Sequence, residues 1–168
     1  EPPFVALLVS GGHTMLVHVR GWGDYEVLGS TLDDAVGEAF DKVAKALELG
    51  YPGGPVLSRC AKDGDAKAIA FPRAMMHSGD LRFSLSGLKT AVITYINEQN
   101  KAGMSIDIPN LAASFTAAVV DVLVAKSLDA CKQTGSRVLC IGGGVAANPD
   151  LREALAASLG KRGIRVIM

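Results

Sequence analysis

Apolar positions near the start of the chain follow the spacing of short strands separated by tight turns. Phe4 to Val9 is a continuous apolar run, and Met15, Val17 and Val19 occupy every second position of the segment that follows. A Ser-Gly-Gly-His turn lies between these runs, and Tyr25 to Leu28 forms a third strand-like run after another turn. Runs with a period of two, bounded by glycine turns, predict an antiparallel meander.

The pattern changes to helical spacing in residues 30–49. Val36, Phe40, Val43 and Leu47 recur every three or four positions, which predicts a helix with one apolar face packed on the sheet.

The polar face of this predicted helix carries carboxylates at successive turns, from Asp34, Glu38 and Asp41. Such a row suits ribose hydroxyls, a hydrated metal ion or a basic partner. Such a row is more often a plain solvated face, and the sequence alone leaves these alternatives open.

The middle of the chain, from about residue 51 to residue 108, is predicted to be a helical and basic insertion. The Gly50 to Pro55 run breaks the preceding helix, and a new helix is predicted from about Leu88 to Asn100. Residues 59–89 hold six Lys or Arg against three Asp, whereas residues 30–49 hold five acids against two Lys. This dipolar layout suits an anionic partner on the basic side, and it also suits ordinary solvated surface.

The last part of the chain has the pattern of a long helix followed by a βαβ unit. The helix is predicted to open at Asp107 or Pro109 and to end at Gly135. Val138 to Ile141 predicts a strand buried on both faces, and Ile164 to Met168 predicts a final strand parallel to it, joined by a right-handed connection. The inward face of the long helix is predicted to consist of Leu111, Phe115, Val119, Val122 and Leu123.

Two glycine-rich turns are candidate ligand sites. Gly142 to Gly144 follow a predicted strand, and Asn148 and Pro149 suit the first positions of the helix after them. Ligands of open α/β sheets bind at such junctions, although a tight turn without a ligand has the same pattern. The glycines also fit a loose dinucleotide fingerprint, but the acid expected about 20 residues further on is absent. Ser10 to Gly12 could likewise form a phosphate nest or a plain hairpin turn.

Composition narrows the classes of function. The 168 residues suit one domain, and 17 basic against 17 acidic side chains argue against a strongly basic nucleic-acid binder, although a local basic patch is compatible. Three cysteines far apart indicate reduced thiols in a cytoplasmic protein. No continuous apolar stretch reaches the roughly 18 residues of a membrane span, so no membrane association is expected. The chain opens at Glu1 and stops at Met168 within a strand-like run, so we expect an internal fragment of a longer protein.

No metal or phosphate motif is complete within the chain. A P-loop Gly-Lys-Ser/Thr sequence is absent. His13 and His18 are five residues apart on a predicted strand and therefore lie on opposite faces, so they cannot hold one ion.

Five motifs taken together resemble the TsaD family, the bacterial tRNA threonylcarbamoyladenosine transferases. The resemblance covers nearly the whole chain and implies an α/β protein with the actin-like ATPase fold of sugar kinases and heat-shock ATPases. Residues 1–168 would then be a single subdomain, the second of that fold, with a mixed five-stranded sheet flanked by helices. The motifs are Leu8–Thr14 (LVSGGHT), Asp33–Lys42 (DDAVGEAFDK), Tyr51–Pro55 (YPGGP), Phe83–Thr90 (FSLSGLKT) and Gly142–Asn148 (GGGVAAN).

The resemblance implies an activity and a set of binding residues. TsaD-like proteins move a threonylcarbamoyl group from threonylcarbamoyl-AMP to the exocyclic amine of the adenosine beside the anticodon, in tRNAs that read codons beginning with A. No catalytic residue is identified by the match. Ser58 stands where some relatives carry an acid, so a ribose contact there is not implied. The matching nucleotide-binding positions are Leu8, Val9, Ser10, Gly11, Gly12, Asp41, Gly54 and Asn148.

The resemblance also implies partners and a metal. The partners are tRNA, the adenylate substrate, the paralogous subunit TsaB and the ATPase TsaE. One divalent metal of the iron or zinc class is implied for the parent protein, with its ligands outside this chain, so the chain alone is expected to be inactive. Two alternatives remain, namely a non-catalytic subunit with the same fold and a small-molecule kinase of the same superfamily.

Overall fold

The computed structural model describes all 168 residues and contains one mixed sheet of five strands. In space the strands run in the order β3-β2-β1-β4-β5. The first three pair antiparallel, and β4 pairs parallel with both β1 and β5, which confirms the predicted meander and βαβ unit. The strands are β1 Phe4–Val9, β2 Thr14–Gly21, β3 Asp24–Ser30, β4 Val138–Gly142 and β5 Arg165–Ile167.

Five α-helices and one short 3-10 turn complete the fold. The 3-10 turn, Gly144–Ala147, directly follows β4. The helices are α1 Val36–Ala46, α2 Gly53–Ala61, α3 Ser86–Lys101, α4 Ile108–Thr134 and α5 Pro149–Gly160.

Helix α4 is the centre of the core. All five of its predicted inward-facing residues are buried. Asp107 caps its first turn by accepting a hydrogen bond of 3.0 Å from the Asn110 N–H, and Gly135 ends it in the left-handed conformation at φ 70°. By length and composition α4 could cross a membrane, although polar side chains interrupt its apolar residues. Because 61% of its apolar window is buried against the rest of the protein, α4 is explained as a core helix.

The predicted burial of β4 on both faces is wrong. Leu139 and Ile141 are buried, but Val138 and Cys140 are only half-buried. The same alternation occurs in β1, where Leu8 is 38% exposed. The helices therefore cover one face of the sheet more completely than the other.

Helix α1 begins later than predicted because two neighbouring groups fix its first turn. The Val36 N–H donates to the Thr14 hydroxyl at 2.8 Å, and the Gly37 N–H donates to the Ser10 carbonyl at 3.0 Å. Glu38 accepts a hydrogen bond from the Ala35 N–H, which satisfies another donor of the helix end. The beginning of α1 is thus attached to the turn that follows β1.

The break at Gly50 to Pro55 is shorter than predicted, since α2 starts inside it at Gly53. A proline in the first turn of a helix lacks an N–H where none is needed, so Pro55 suits this position. The Gly53 N–H is satisfied by the Asp41 carboxylate at 2.8 Å.

Two acids just before α1, Asp33 and Asp34, hold α3 in place. The Asp33 carboxylate accepts from the Ser84 hydroxyl at 2.7 Å and from the Leu85 and Ser86 N–H groups at 2.8 and 3.1 Å. Asp34 forms an ion pair of 2.7 Å with Lys89. Two of the five motifs therefore contact each other directly.

Much of the basic charge in residues 59–89 is paired within the protein. Besides Lys89, Arg73 lies 2.7 Å from Asp121 and Arg82 lies 2.8 Å from Asp80. These ion pairs reduce the net positive charge of residues 59–89, which the sequence suggested as a surface for an anionic partner.

Candidate functional site

A cavity of about 530 Å³ opens where the ends of β1 and β4 meet three helices. Gly11 follows β1, Gly144 follows β4, and both line the cavity. The first turns of α1, α2 and α5 contribute Gly37, Gly54 and Pro149. The size falls in the range of about 300–1,000 Å³ typical of small-molecule sites, and the position is the one at which α/β sheets bind ligands.

Close backbone packing explains several of the glycines around the cavity. A Cβ atom at Gly37 would lie 2.7 Å from the Cα and N atoms of Gly11. A Cβ at Gly143 would lie 2.2 Å from the Val9 carbonyl oxygen, and Gly143 also has a φ of +97°. Gly143 is therefore required for packing between β1 and β4. In contrast, Gly54 and Gly144 have open space at the Cβ position.

Most N–H groups of the Ser10 turn are used inside the protein. The Ser10 N–H donates to the His13 carbonyl at 2.8 Å, and the Ser10 hydroxyl accepts from the N–H groups of Gly12 and His13. The Gly11 N–H has no protein acceptor and belongs to a residue that lines the cavity. One free amide, instead of a nest of three, is thus available for a ligand.

Asp41 and Asn148 each combine a structural bond with a cavity position. Asp41 Oδ1 accepts from Gly53 N–H, which leaves the second carboxylate oxygen for a ligand. Asn148 Oδ1 accepts from the Leu151 N–H at 3.1 Å, which leaves the side-chain NH₂ as a donor. Ser58 also lines the cavity, and its hydroxyl forms no hydrogen bond within the protein.

The cavity contains no Lys or Arg, and Asp41 is its only carboxylate. Positive potential comes instead from the amino-terminal ends of α1, α2 and α5, each of which carries roughly half an elementary charge. The cavity can therefore bind hydroxyl groups at the Asp41 carboxylate and an anionic group near the amino-terminal ends of the helices.

The sequence of residues 1–168 matches the family model described as TsaD, tRNA N6-adenosine threonylcarbamoyltransferase. The chain belongs to the TsaD family. It is 59% identical over 165 residues to the tRNA N6-adenosine threonylcarbamoyltransferase of Bordetella petrii, covering 97% of this chain and 47% of that protein. The same enzyme of Clostridium botulinum (strain 657 / Type Ba4) is 49% identical, with coverage of 100% and 49%. The chain thus spans about half the length of these curated relatives.

Two solved structures show the fold of this TsaD-family chain. Component A of Acidaminococcus fermentans (R)-2-hydroxyglutaryl-CoA dehydratase superposes with a TM-score of 0.55 at 16% identity, covering 97% of this chain and 54% of that chain. HypF of T. kodakarensis gives 0.59 at 16% identity, covering 86% and 18%. Both have the actin-like ATPase fold, so the predicted fold class is confirmed.

The structure brings part of the predicted nucleotide-binding set of the TsaD-family chain to the cavity. Gly11, Asp41, Gly54 and Asn148 line it. The other predicted residues do not line it: Val9 is fully buried in the sheet, Leu8 packs near Gly142, and Ser10 and Gly12 form the adjoining turn. The predicted roles in ligand binding stay predictions. The cavity lining also includes residues that were not predicted as binding residues from the sequence, namely Gly37, Tyr51, Pro55, Val145 and Pro149. The first four of these lie within the motifs that the sequence shows.

No group of three or more His, Cys, Asp or Glu side chains in this chain is placed to hold a metal ion.

Proposed function

We propose that this chain supplies the adenylate-binding part of a transferase that places a threonylcarbamoyl group on tRNA. The donor would be threonylcarbamoyl-AMP, and the acceptor would be the exocyclic amine of the adenosine beside the anticodon in tRNAs that read codons beginning with A. The observation that carries the proposal is the cavity at the ends of β1 and β4, which gathers Gly11, Asp41, Gly54 and Asn148 in a chain of the TsaD family.

The cavity suits the nucleoside portion of the adenylate. The free oxygen of Asp41 can accept hydrogen bonds from ribose hydroxyls, and the Asn148 NH₂ can donate to a ring nitrogen of adenine. Gly54 leaves space for close approach of the ligand, because nothing lies within 4 Å of its Cβ position.

The anionic portion of the adenylate would lie beside Gly11 and the ends of the helices. The acceptor amine attacks the carbonyl carbon of the mixed anhydride, and a negatively charged oxygen forms there. When this intermediate collapses, the bond from that carbon to the phosphate oxygen breaks, AMP leaves with the electron pair, and the amine proton passes to solvent. The Gly11 N–H and the three helix ends can stabilise negative charge during this step, as oxyanion-binding donors do.

The metal and the partners are proposed for the whole protein. A divalent metal of the iron or zinc class would be held by residues outside this chain, as the resemblance to the family implies. The resemblance to the family supports tRNA, TsaB and TsaE as partners and the cytoplasm as the location. The family match does not favour the two alternatives, a non-catalytic subunit or a small-molecule kinase.

The proposal is tested in the whole protein with its partner subunits, threonylcarbamoyl-AMP and tRNA. Mass spectrometry of digested tRNA should show threonylcarbamoyladenosine with the unsubstituted protein. Gly144→Val adds bulk to the cavity wall without meeting backbone, so it should reduce the yield about tenfold or more. Unmodified adenosine with the unsubstituted protein, or full activity of Gly144→Val, would contradict the proposal.

A further inference from the structure

The geometry points to Tyr51 as the residue that stacks on the base of the bound nucleotide. This inference rests on the proposed function and concerns the part of the cavity that recognises the base. Tyr51 is 83% exposed, lines the cavity, and forms no side-chain hydrogen bond and no aromatic pair. Its ring is therefore free to meet a ligand.

The second aromatic ring of the cavity cannot take this role. Phe40 is only 2% exposed and packs edge-to-face on Phe115 with the ring centroids 5.1 Å apart. Since Phe40 belongs to the core, Tyr51 is the aromatic side chain that a ligand can reach.

The lining next to Tyr51 suits a flat, uncharged group. Pro52 and Pro55 lie on the side of α2, and Val145 and Pro149 lie on the side of the 3-10 turn and α5. A charged phosphate would lose hydration among these apolar side chains, whereas a base would bury its faces favourably. The phosphate is therefore expected near Gly11, and the base near Tyr51.

The backbone on both sides of Tyr51 is fixed without help from its side chain. On one side the Leu49 N–H donates to the Ala44 carbonyl at 2.9 Å, and on the other α2 starts at Gly53 with its N–H bound to Asp41. Removal of the Tyr51 ring should consequently leave the fold intact. A loss of ligand affinity would then report a direct contact.

Calorimetry with AMP tests the inference on this chain. Tyr51→Ala should weaken binding at least about fivefold, since stacking of a base on an aromatic side chain has that effect or more. Tyr51→Phe keeps the ring and should bind as the unsubstituted chain does. Tyr25→Ala is the matched control, because Tyr25 is also exposed at 59% but lies on β3 and does not line the cavity.

The possible results separate this inference from the proposed function. Absence of AMP binding by the unsubstituted chain would contradict the proposed function and the inference together. Normal binding by Tyr51→Ala would overturn the inference alone. Equal losses in Tyr51→Ala and Tyr51→Phe would also overturn it, because the hydroxyl would then be the contact. A fall in melting temperature that matches the loss of affinity in Tyr51→Ala would assign a structural role instead.

Discussion

At the scale of single residues, the same side chain can serve both the fold and the ligand. Asp41 is the clearest case, because one of its oxygens holds the Gly53 N–H while the residue lines the cavity. From the sequence alone, ligand contact and solvated surface are alternatives for this carboxylate. The structure shows a third role, as an acceptor for the first N–H of α2.

Asp41→Ala should therefore reduce stability as well as binding. Loss of a helix-end acceptor costs about 0.5–2 kcal/mol. For a chain of this size that is a fall of a few degrees in melting temperature, at about 2–4 °C per kcal/mol. Asp41→Asn keeps an acceptor oxygen and removes the charge, so calorimetric melting should show a smaller change. Equal melting temperatures for Asp41→Ala and the unsubstituted chain would show that the bond to Gly53 contributes nothing.

Gly143 and Gly144 should differ in their tolerance of alanine, although they are neighbours. Gly143→Ala places a Cβ against the Val9 carbonyl at a positive φ, so it should destabilise by about 1–3 kcal/mol or more. Gly144→Ala meets no atom within 4 Å and should have an effect below about 1 kcal/mol. Urea unfolding of the two variants measures the difference, and equal midpoints would contradict the described packing.

At the scale of elements, the contact between α3 and the residues just before α1 depends on two ionised acids, Asp33 and Asp34. Burial opposes the charge of Asp33 and would raise the pKa of its carboxyl. The hydrogen bonds from Ser84, Leu85 and Ser86 outweigh burial and lower that pKa from its usual 3.8. Burial also acts against Asp34, but Lys89 and Lys42 outweigh it and lower the pKa of Asp34 as well.

The contribution of Asp33 to stability should disappear in acid. A carboxyl whose folded pKa is lowered stabilises the fold above the unfolded pKa of 3.8 and loses this effect as the pH falls below it. At pH 7, Asp33→Ala should cost about 1 kcal/mol, because the Leu85 and Ser86 N–H groups at the start of α3 lose their acceptor. Urea unfolding at pH 7 and near pH 3 should show a smaller difference between the two proteins at the lower pH. A difference that is unchanged or larger in acid would exclude this role of the charge.

Much of this element structure could be predicted from the sequence, because it depends on local patterns. The meander, the caps Asp107 and Asn148, and the stop at Gly135 each follow from a few adjacent residues. The start of α1 depends on the Ser10 carbonyl, and the start of α2 at Gly53 depends on the Asp41 carboxylate. Each of these acceptors reaches its helix end only after the chain has folded. For the same reason the motifs predicted part of the cavity lining, while Tyr51 and Gly37 could be selected only once α1 and α2 had been placed.

At the scale of the whole molecule, the less covered face of the sheet should promote self-association of the chain. Strand pairing places Leu8, Val27 and Ile167 on this face, with exposures of 38%, 59% and 40%. Exposed apolar side chains on a sheet, together with the short edge strand β5, favour contact between copies.

Ile167→Lys should reduce this association, because it adds a charge to the edge strand. Size-exclusion chromatography with light scattering should show less dimer or aggregate for Ile167→Lys than for the unsubstituted chain. Met104→Lys provides the control, since Met104 is exposed in the loop between α3 and α4 and lies off the sheet. An equal effect of both variants would attribute the change to net charge alone.

Binding of an adenine nucleotide in the cavity between Gly11, Gly54 and Asn148 is the central claim. Calorimetric titration of AMP into Gly54→Val tests it directly, because this side chain would enter the cavity without meeting protein atoms within 4 Å of its Cβ. Gly87→Val is the matched control, since Gly87 also begins a helix with open space but lies outside the cavity. We predict binding by the unsubstituted chain and Gly87→Val, and binding weaker by about tenfold or more for Gly54→Val. Equal affinity of all three proteins would contradict the claim.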